Sequence, residues 1–367
     1  MVRVGTWASA CIVVGLGAPL LGSGFLNGDI AAYCAQGWTA DLADRTVHLG
    51  YTALATLLAP LAGHTLPIWL DLVNLVAAVV LITAATRLHQ GDRRTLGLAA
   101  AAVVLPWAPF AEVDVPWMAL VMASAAGVPG CAALAVAVSP TALLALPWVA
   151  SERRALAPLA EGVMAVGLLT VISGGSWWTG PRGVLEPRSF LIGRNFGTWV
   201  ATIPWLVVLT GRWHRVGRPL LFALPLLFAP ADVPAGVLVA IATTTTALIE
   251  PSLTPLGRVA RVGAVSWLLV WAFFETQTRA ERIRTEQAQI MAVLRAFEPG
   301  DGLVAPFTWG ARAAVLATGD PYGLPWHPEG RFLRDQATPW ALVDGTIWVL
   351  PPPRRATATE PRRSPRP

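Results

Sequence analysis

The stretch FLNGDIAAYCAQGWTADLADRTVHLGYTALATLL, residues 25–58, sets Asp29, Asp41, Asp44, Arg45 and His48 between two apolar runs. A carboxylate followed nineteen residues later by an imidazole, at the head of an amphipathic helix, places both groups at a membrane–water boundary, where lipid-linked substrates can be reached. Asp29 can act as general base toward an acceptor hydroxyl or amide, and partial burial would raise its pKa into a useful range. The same aspartate can instead be the N-cap of a helix IAAYCAQ. Asp41 and Asp44 suit caps or a solvated loop. His48 suits the headgroup layer of a membrane, where an amphipathic ring keeps one side wet.

Two further groups lie downstream. Glu112 and Asp114 in AEVDVP are a spaced acidic pair that can help hold a divalent metal or an acceptor, with plain loop solvation as the other reading. The segment GPRGVLEPRSFLIGR carries Arg182, Arg188 and Arg194 close to Trp177 and Trp178. A planar guanidinium binds phosphate oxygens in pairs, and tryptophans anchor at membrane interfaces. Gripping lipid headgroups is the alternative for these arginines. His64, His89, His214 and His327 have no ligand spacing, and Cys11, Cys34 and Cys131 suggest neither a disulfide framework nor a thiolate site. No metal ligands and no cofactor are therefore assigned.

The elements that must position these groups are read from composition. Hydrophobic residues make up 54% and charged residues 13%, with a mean hydropathy of +0.56. Apolar runs with short polar punctuation fill residues 6–276, each near or somewhat below the roughly 20 residues that cross a bilayer. This predicts an all-α polytopic membrane protein with about eleven membrane-embedded segments, some short or interfacial. The first run, TWASACIVVGLGAPLLGSGFL, reads as a retained signal anchor.

Arginine-bearing loops give orientation by the positive-inside rule: 87–94, 151–154, 211–218 and 257–261 are assigned to the cytoplasm with the N-terminus. The loops 27–66, 109–116, 174–194 and 229–235 then face outside, as does the C-terminus. The arginines of TRAERIR, 278–284, oppose that last placement. Residues 48–88 must cross once, so LGYTALATLLAPLAG is predicted to lie at the interface. The segment 130–149 sits between two cytoplasmic loops and carries Ser139-Pro140 at its middle, which predicts a shallow hairpin of half-helices. The domain scheme is a multi-spanning domain over 1–276, a small external α/β-like domain over 277–350 and a disordered Pro/Arg tail over 351–367.

The formal charge is +5 and every basic side chain is arginine. With abundant Ala, Gly and Pro this suggests a GC-rich bacterial genome and hence the cytoplasmic membrane. The arginines occupy short loops and the tail, not one basic domain, so topology accounts for them and a nucleic-acid partner is not implied.

In three respects the chain resembles the polyprenyl-phosphate-sugar-dependent glycosyltransferases of the GT-C superfamily, nearest the protein O-mannosyltransferase-like branch. Asp29 stands in the first external loop, HLGY 48–51 stands where the family has a His-Pro-Pro-Gly-Tyr-like segment, and DLVNLVAAVV 71–80 opens the next span. The segment 130–154, a hairpin with its basic loop, and a small external C-terminal domain add to the likeness, which is specific over about the first 155 residues. Leu49-Gly50 replaces the double proline, Ser139 stands where many relatives carry Lys, and the first loop lacks Asp-x-Asp. The resemblance implies an inverting hexosyl- or pentosyltransferase that moves sugar from a polyprenyl-phosphate donor to an external lipid, glycan or protein. It makes Asp29 the catalytic base and Arg45, His48, Tyr51, Glu112, Asp114, Arg182, Arg188 and Arg194 substrate-binding candidates, with room for a divalent metal.

Two other classes stay open. A catalytically silent scaffold would keep the fold and dispense with the chemistry. A secondary transporter would use broken helices and charge within the membrane, yet Asp71, Glu161 and Glu250 read as lying near segment ends or interfaces, and no inverted repeat is visible.

Overall fold

The computed structural model describes residues 4–20, 48–87, 93–110, 113–153, 155–173, 255–294, 302–304, 326–327, 338–343 and 345–350, with Ile30, Tyr33, Cys34 and Gly37. Nine α-helices occur among the described residues: α1 (Val4–Gly17), α2 (Leu49–Ala62), α3 (Leu66–Arg87), α4 (Arg93–Val104), α5 (Asp114–Ala125), α6 (Cys131–Val138), α7 (Leu146–Arg153), α8 (Ala157–Ile172) and α9 (Pro255–Leu294). Two stretches, 49–87 and 257–285, are long and apolar enough to cross a membrane, and three shorter apolar helices fall in 7–20, 114–125 and 157–172. The remaining segments of the sequence-based count that lie within 174–254 fall outside the described residues.

Helix ends follow local chemistry. Pro158 sits in the first turn of α8, where a missing N–H costs nothing. The turn between α5 and α6 places Gly127 at φ 89° and Gly130 at φ 77°, a left-handed backbone that a Cβ would oppose. Within apolar helices, hydroxyls turn inward on their own backbone: Thr56 Oγ1 donates to the Thr52 carbonyl at 3.0 Å, Thr83 to Val79 at 2.8 Å and Thr276 to Ala272 at 2.6 Å. Polar side chains thereby become compatible with a setting that supplies no water.

Small residues bring the helices together. Ala99, Ala100, Ala101 and Ala102 of α4 are all buried, and a Cβ on Gly97 would lie 2.6 Å from Ser9 Oγ of α1. Close backbone approach through such residues is how helices pack when apolar burial alone cannot drive association. The same core takes in Trp107, Trp117 and, from α9, Ala264, Leu268 and Ala272. Outward faces are apolar too: Val163, Leu168 and Val171 of α8 and Val259, Val262 and Phe274 of α9 are exposed. On α9 the buried face ends in an arginine at either extremity, Arg261 and Arg279.

Contacts divide the chain into two units, 1–25 with 36–281, and 26–35 with 282–367. In the second, strands β1 (Gly302–Val304), β2 (Trp326–His327), β3 (Thr338–Val343) and β4 (Gly345–Leu350) pair in the order β2-β1-β4-β3. The β1–β2 pair is parallel; β1–β4 and β3–β4 are antiparallel.

Candidate functional site

The motif HLGY makes two side-chain hydrogen bonds to other helices. Pro140 has no N–H to continue α6, and the residue before it, Ser139, is extended at φ −152°, ψ 129°. The helix therefore stops at Val138 and leaves carbonyls without intrahelical partners. His48 Nδ1 lies 3.1 Å from the Val138 carbonyl oxygen. A carbonyl only accepts, so Nδ1 carries the proton and Nε2 the lone pair. Burial, opposed in part by this bond, lowers the His48 pKa to about 4. The ring is then neutral at physiological pH and donates to the backbone that the proline break exposes.

Gly50 makes that approach feasible. A Cβ at this position would stand 2.7 Å from the Ala137 carbonyl carbon and 2.9 Å from the Val138 nitrogen, both backbone atoms. One residue further, Tyr51 is fully buried and its hydroxyl donates to Asn74 Oδ1 of α3 at 3.2 Å. Asn74 lies eight residues into α3 and Tyr51 eleven residues before the end of α2, so α2 folds back along α3 through the turn at Gly63–Thr65. An interfacial helix was the expectation here; the structure packs Tyr51, Ala55 and Ala59 against the other helices and leaves Leu57 and Leu61 outward.

One turn from Asn74, on the same buried side of α3, lies Asp71. It is 4% exposed, and its Oδ1 has no hydrogen-bond partner. The sequence puts Asp71 near a segment end or interface, and it is the sixth residue of α3; the structure adds that it is enclosed. A carboxyl with an uncommitted oxygen can accept a hydrogen bond or proton from a substrate, or face a cation, and it is the sort of group that marks function inside apolar helices. The signal was in the sequence: Asp71 is the sole acidic residue of α3, and its spacing to Asn74 is that of one helix face.

Asp114, by contrast, is engaged locally: its Oδ1 accepts from Trp117 Nε1 at 2.9 Å within the first turn of α5. Asp29, Arg45, Glu112, Arg182, Arg188 and Arg194 lie outside the described residues. Of the sequence-derived candidates, the structure thus brings His48 and Tyr51 together, each hydrogen-bonded to a different helix, and sets Asp114 at the start of α5. Among the described residues no group of three His, Cys, Asp or Glu side chains is arranged to hold a metal ion.

Taken with its apolar exterior, the first unit is all-helical among its described residues, with two segments of membrane-crossing length and composition. No family model, curated protein or solved structure matches the chain.

Proposed function

We propose that the chain is an integral glycosyltransferase of a bacterial cytoplasmic membrane, similar in design to the GT-C superfamily. It moves a hexose or pentose from a polyprenyl-phosphate carrier to an external acceptor with inversion, Asp29 acting as base. The observation that carries this reading is the anchoring of HLGY. HLGY, which begins nineteen residues after Asp29 in the sequence, is held by the His48–Val138 and Tyr51–Asn74 bonds, one helical turn from the enclosed Asp71. Catalysis by a loop residue requires a rigid support of this kind. In this proposal about eleven segments are membrane-embedded, the N-terminus is cytoplasmic and residues 277–350 form a small external domain. A divalent ion beside Glu112 and Asp114 is compatible with the chemistry.

The topology is tested by single cysteines introduced at Gly91 and Gly183 in a background with Cys11, Cys34 and Cys131 replaced. Labelling with an impermeant maleimide is expected from opposite sides of the membrane. Labelling from one side for both positions would remove the shared external face that the proposed site needs.

Donor recognition is tested by affinity for a polyprenyl-phosphate sugar in detergent. Arg→Lys at 182, 188 and 194 keeps charge but loses the paired hydrogen bonds, each charge-assisted bond being worth about 1.5–3 kcal/mol. At least one variant is expected to bind about tenfold more weakly, equivalent to ~1.4 kcal/mol. Wild-type protein that binds no such donor would sink the enzyme reading itself.

A secondary transporter is the second reading, favoured by the enclosed Asp71 and by the α6 helix that breaks at Ser139-Pro140. Sealed vesicles distinguish the two: a transporter accumulates solute, whereas the enzyme modifies an acceptor on one face.

A further inference from the structure

Helix α3 carries a single acidic residue, Asp71, and the helices close around it. On α3 itself its neighbours Leu66, Leu70 and Leu75 are buried. Leu75, one turn further along, is the side chain that a Cβ on Gly17 would strike at 2.7 Å, with Pro109 at 3.6 Å. The end of α1 and the buried turn Ala108–Phe110 thus cover this part of α3. The Asp71 carboxyl is 4% exposed, and its Oδ1 has no hydrogen-bond partner.

The ionisable groups around it, among the described residues, are occupied or turned elsewhere. Helix α3 packs against α1, α2, α4, α5 and the turns 63–65 and 108–110. Cys11 of α1 and His64 are exposed. Tyr51 of α2 donates to Asn74, and Asp114 of α5 accepts from Trp117. Arg87 closes α3 sixteen residues on, ~24 Å at 1.5 Å per residue, and Arg93 and Arg94 open α4 just after that end. Arg279 of α9 lies over the Trp107 ring. None of them bonds to Asp71 Oδ1. A carboxylate anion removed from water without a cation or donors is far costlier than the neutral acid, and such a group takes up a proton instead.

We propose that Asp71 is a proton-binding site among the helices, held as the neutral carboxylic acid. Its ligand is the proton, which needs no cavity beyond the carboxyl. The Tyr51–Asn74 bond, one turn away, ties α2 to α3 and helps to keep water from the acid. An enclosed acid of this kind can take up and release a proton without a charge standing permanently in apolar surroundings. The site does not depend on the glycosyltransferase reading.

The test uses the full chain in detergent without any sugar donor. Dicyclohexylcarbodiimide is apolar and modifies carboxylic acids in apolar surroundings, the acid adding across one C=N bond; a charged carbodiimide reaches carboxyls that face water. Peptide mass spectrometry is expected to find the apolar reagent on Asp71 and not the charged one. Labelling should fall about tenfold per pH unit once the acid ionises. In the infrared, the carboxylic-acid C=O band at neutral pH is expected to lose intensity in Asp71→Asn, whose amide is close in shape to the neutral acid and should leave thermal stability near wild type. That band decides if neither reagent enters. Identical acid bands in the two proteins overturn the site, as does the charged reagent labelling Asp71 as readily as the apolar one. An Asp71→Asn protein that fails to fold also overturns it, because the fold would then depend on the charge. A band lost with Asp71 in a protein that transfers no sugar upholds the site and rejects the enzyme reading alone.

Discussion

Asp29→Asn is expected to abolish sugar transfer while leaving expression and membrane insertion intact. Asparagine is nearly isosteric with aspartate but cannot take a proton, so a general-base role loses a factor of about 10²–10⁴ in rate. A capping role would lose almost nothing in stability or turnover, because asparagine caps helices as well as aspartate does. The two readings of Asp29 therefore separate by orders of magnitude in one assay: initial rates of sugar release from a polyprenyl-phosphate donor. Asp41→Asn is the companion measurement and should be mild. A well-folded Asp29→Asn protein with full turnover would rule out the base role and leave capping as the reading of Asp29.

Gly50→Ala and Gly15→Ala are expected to move thermal stability in opposite directions. Both glycines are helical, and intrinsic propensity favours alanine at each by roughly 0.5–1 kcal/mol. Gly15 has open space where a Cβ would stand, so the propensity gain is kept. At Gly50 the new atom meets the Ala137 carbonyl carbon at 2.7 Å, and backbone cannot swing aside as a side chain can. Overpacking of this kind costs about 1–3 kcal/mol. A shift of about 2–4 °C per kcal/mol holds for 150–250 residues and shrinks with chain length, so the midpoint should fall by a few degrees at most. Separation of α2 from α6 would also pull His48 off the Val138 carbonyl. On the proposed glycosyltransferase reading, the loss of transfer activity should therefore exceed what the stability change alone explains. A Gly50→Ala protein as stable as wild type would show that α2 does not sit against α6 as described.

Much of the architecture could be read directly from residue order, because apolar runs and their breakers are local signals. Ser139-Pro140 is the clearest case: proline removes an N–H and forces its predecessor to extend, and α6 ends there. HLGY stood out only by resemblance, and its physical content came from contacts no local pattern encodes, since Val138 lies ninety residues from His48. Asp71 was visible as a lone carboxylate, but whether such a group faces lipid, water or protein depends on helix pairing. Trp107 and Arg279 were more remote still, one an ordinary tryptophan at a run's end and the other a member of a basic cluster. Periodicity assigns faces to a single helix; it does not say which faces of distant helices meet.

The long helix α9 bears one enclosed arginine near each limit of its apolar stretch, Arg261 and Arg279. At 1.5 Å per residue their separation is ~27 Å, close to the thickness of a hydrocarbon layer. Such a helix has a preferred height. Sliding it by one turn would draw one guanidinium about 5.4 Å toward the bilayer centre, where an arginine is heavily penalised. In a bilayer the helix would behave as a strut pinned at both ends, resisting piston motion while leaving rotation to the packing around it. In a membrane much thinner or thicker than that span, the bilayer or the helix would have to adjust for both arginines to reach an interface.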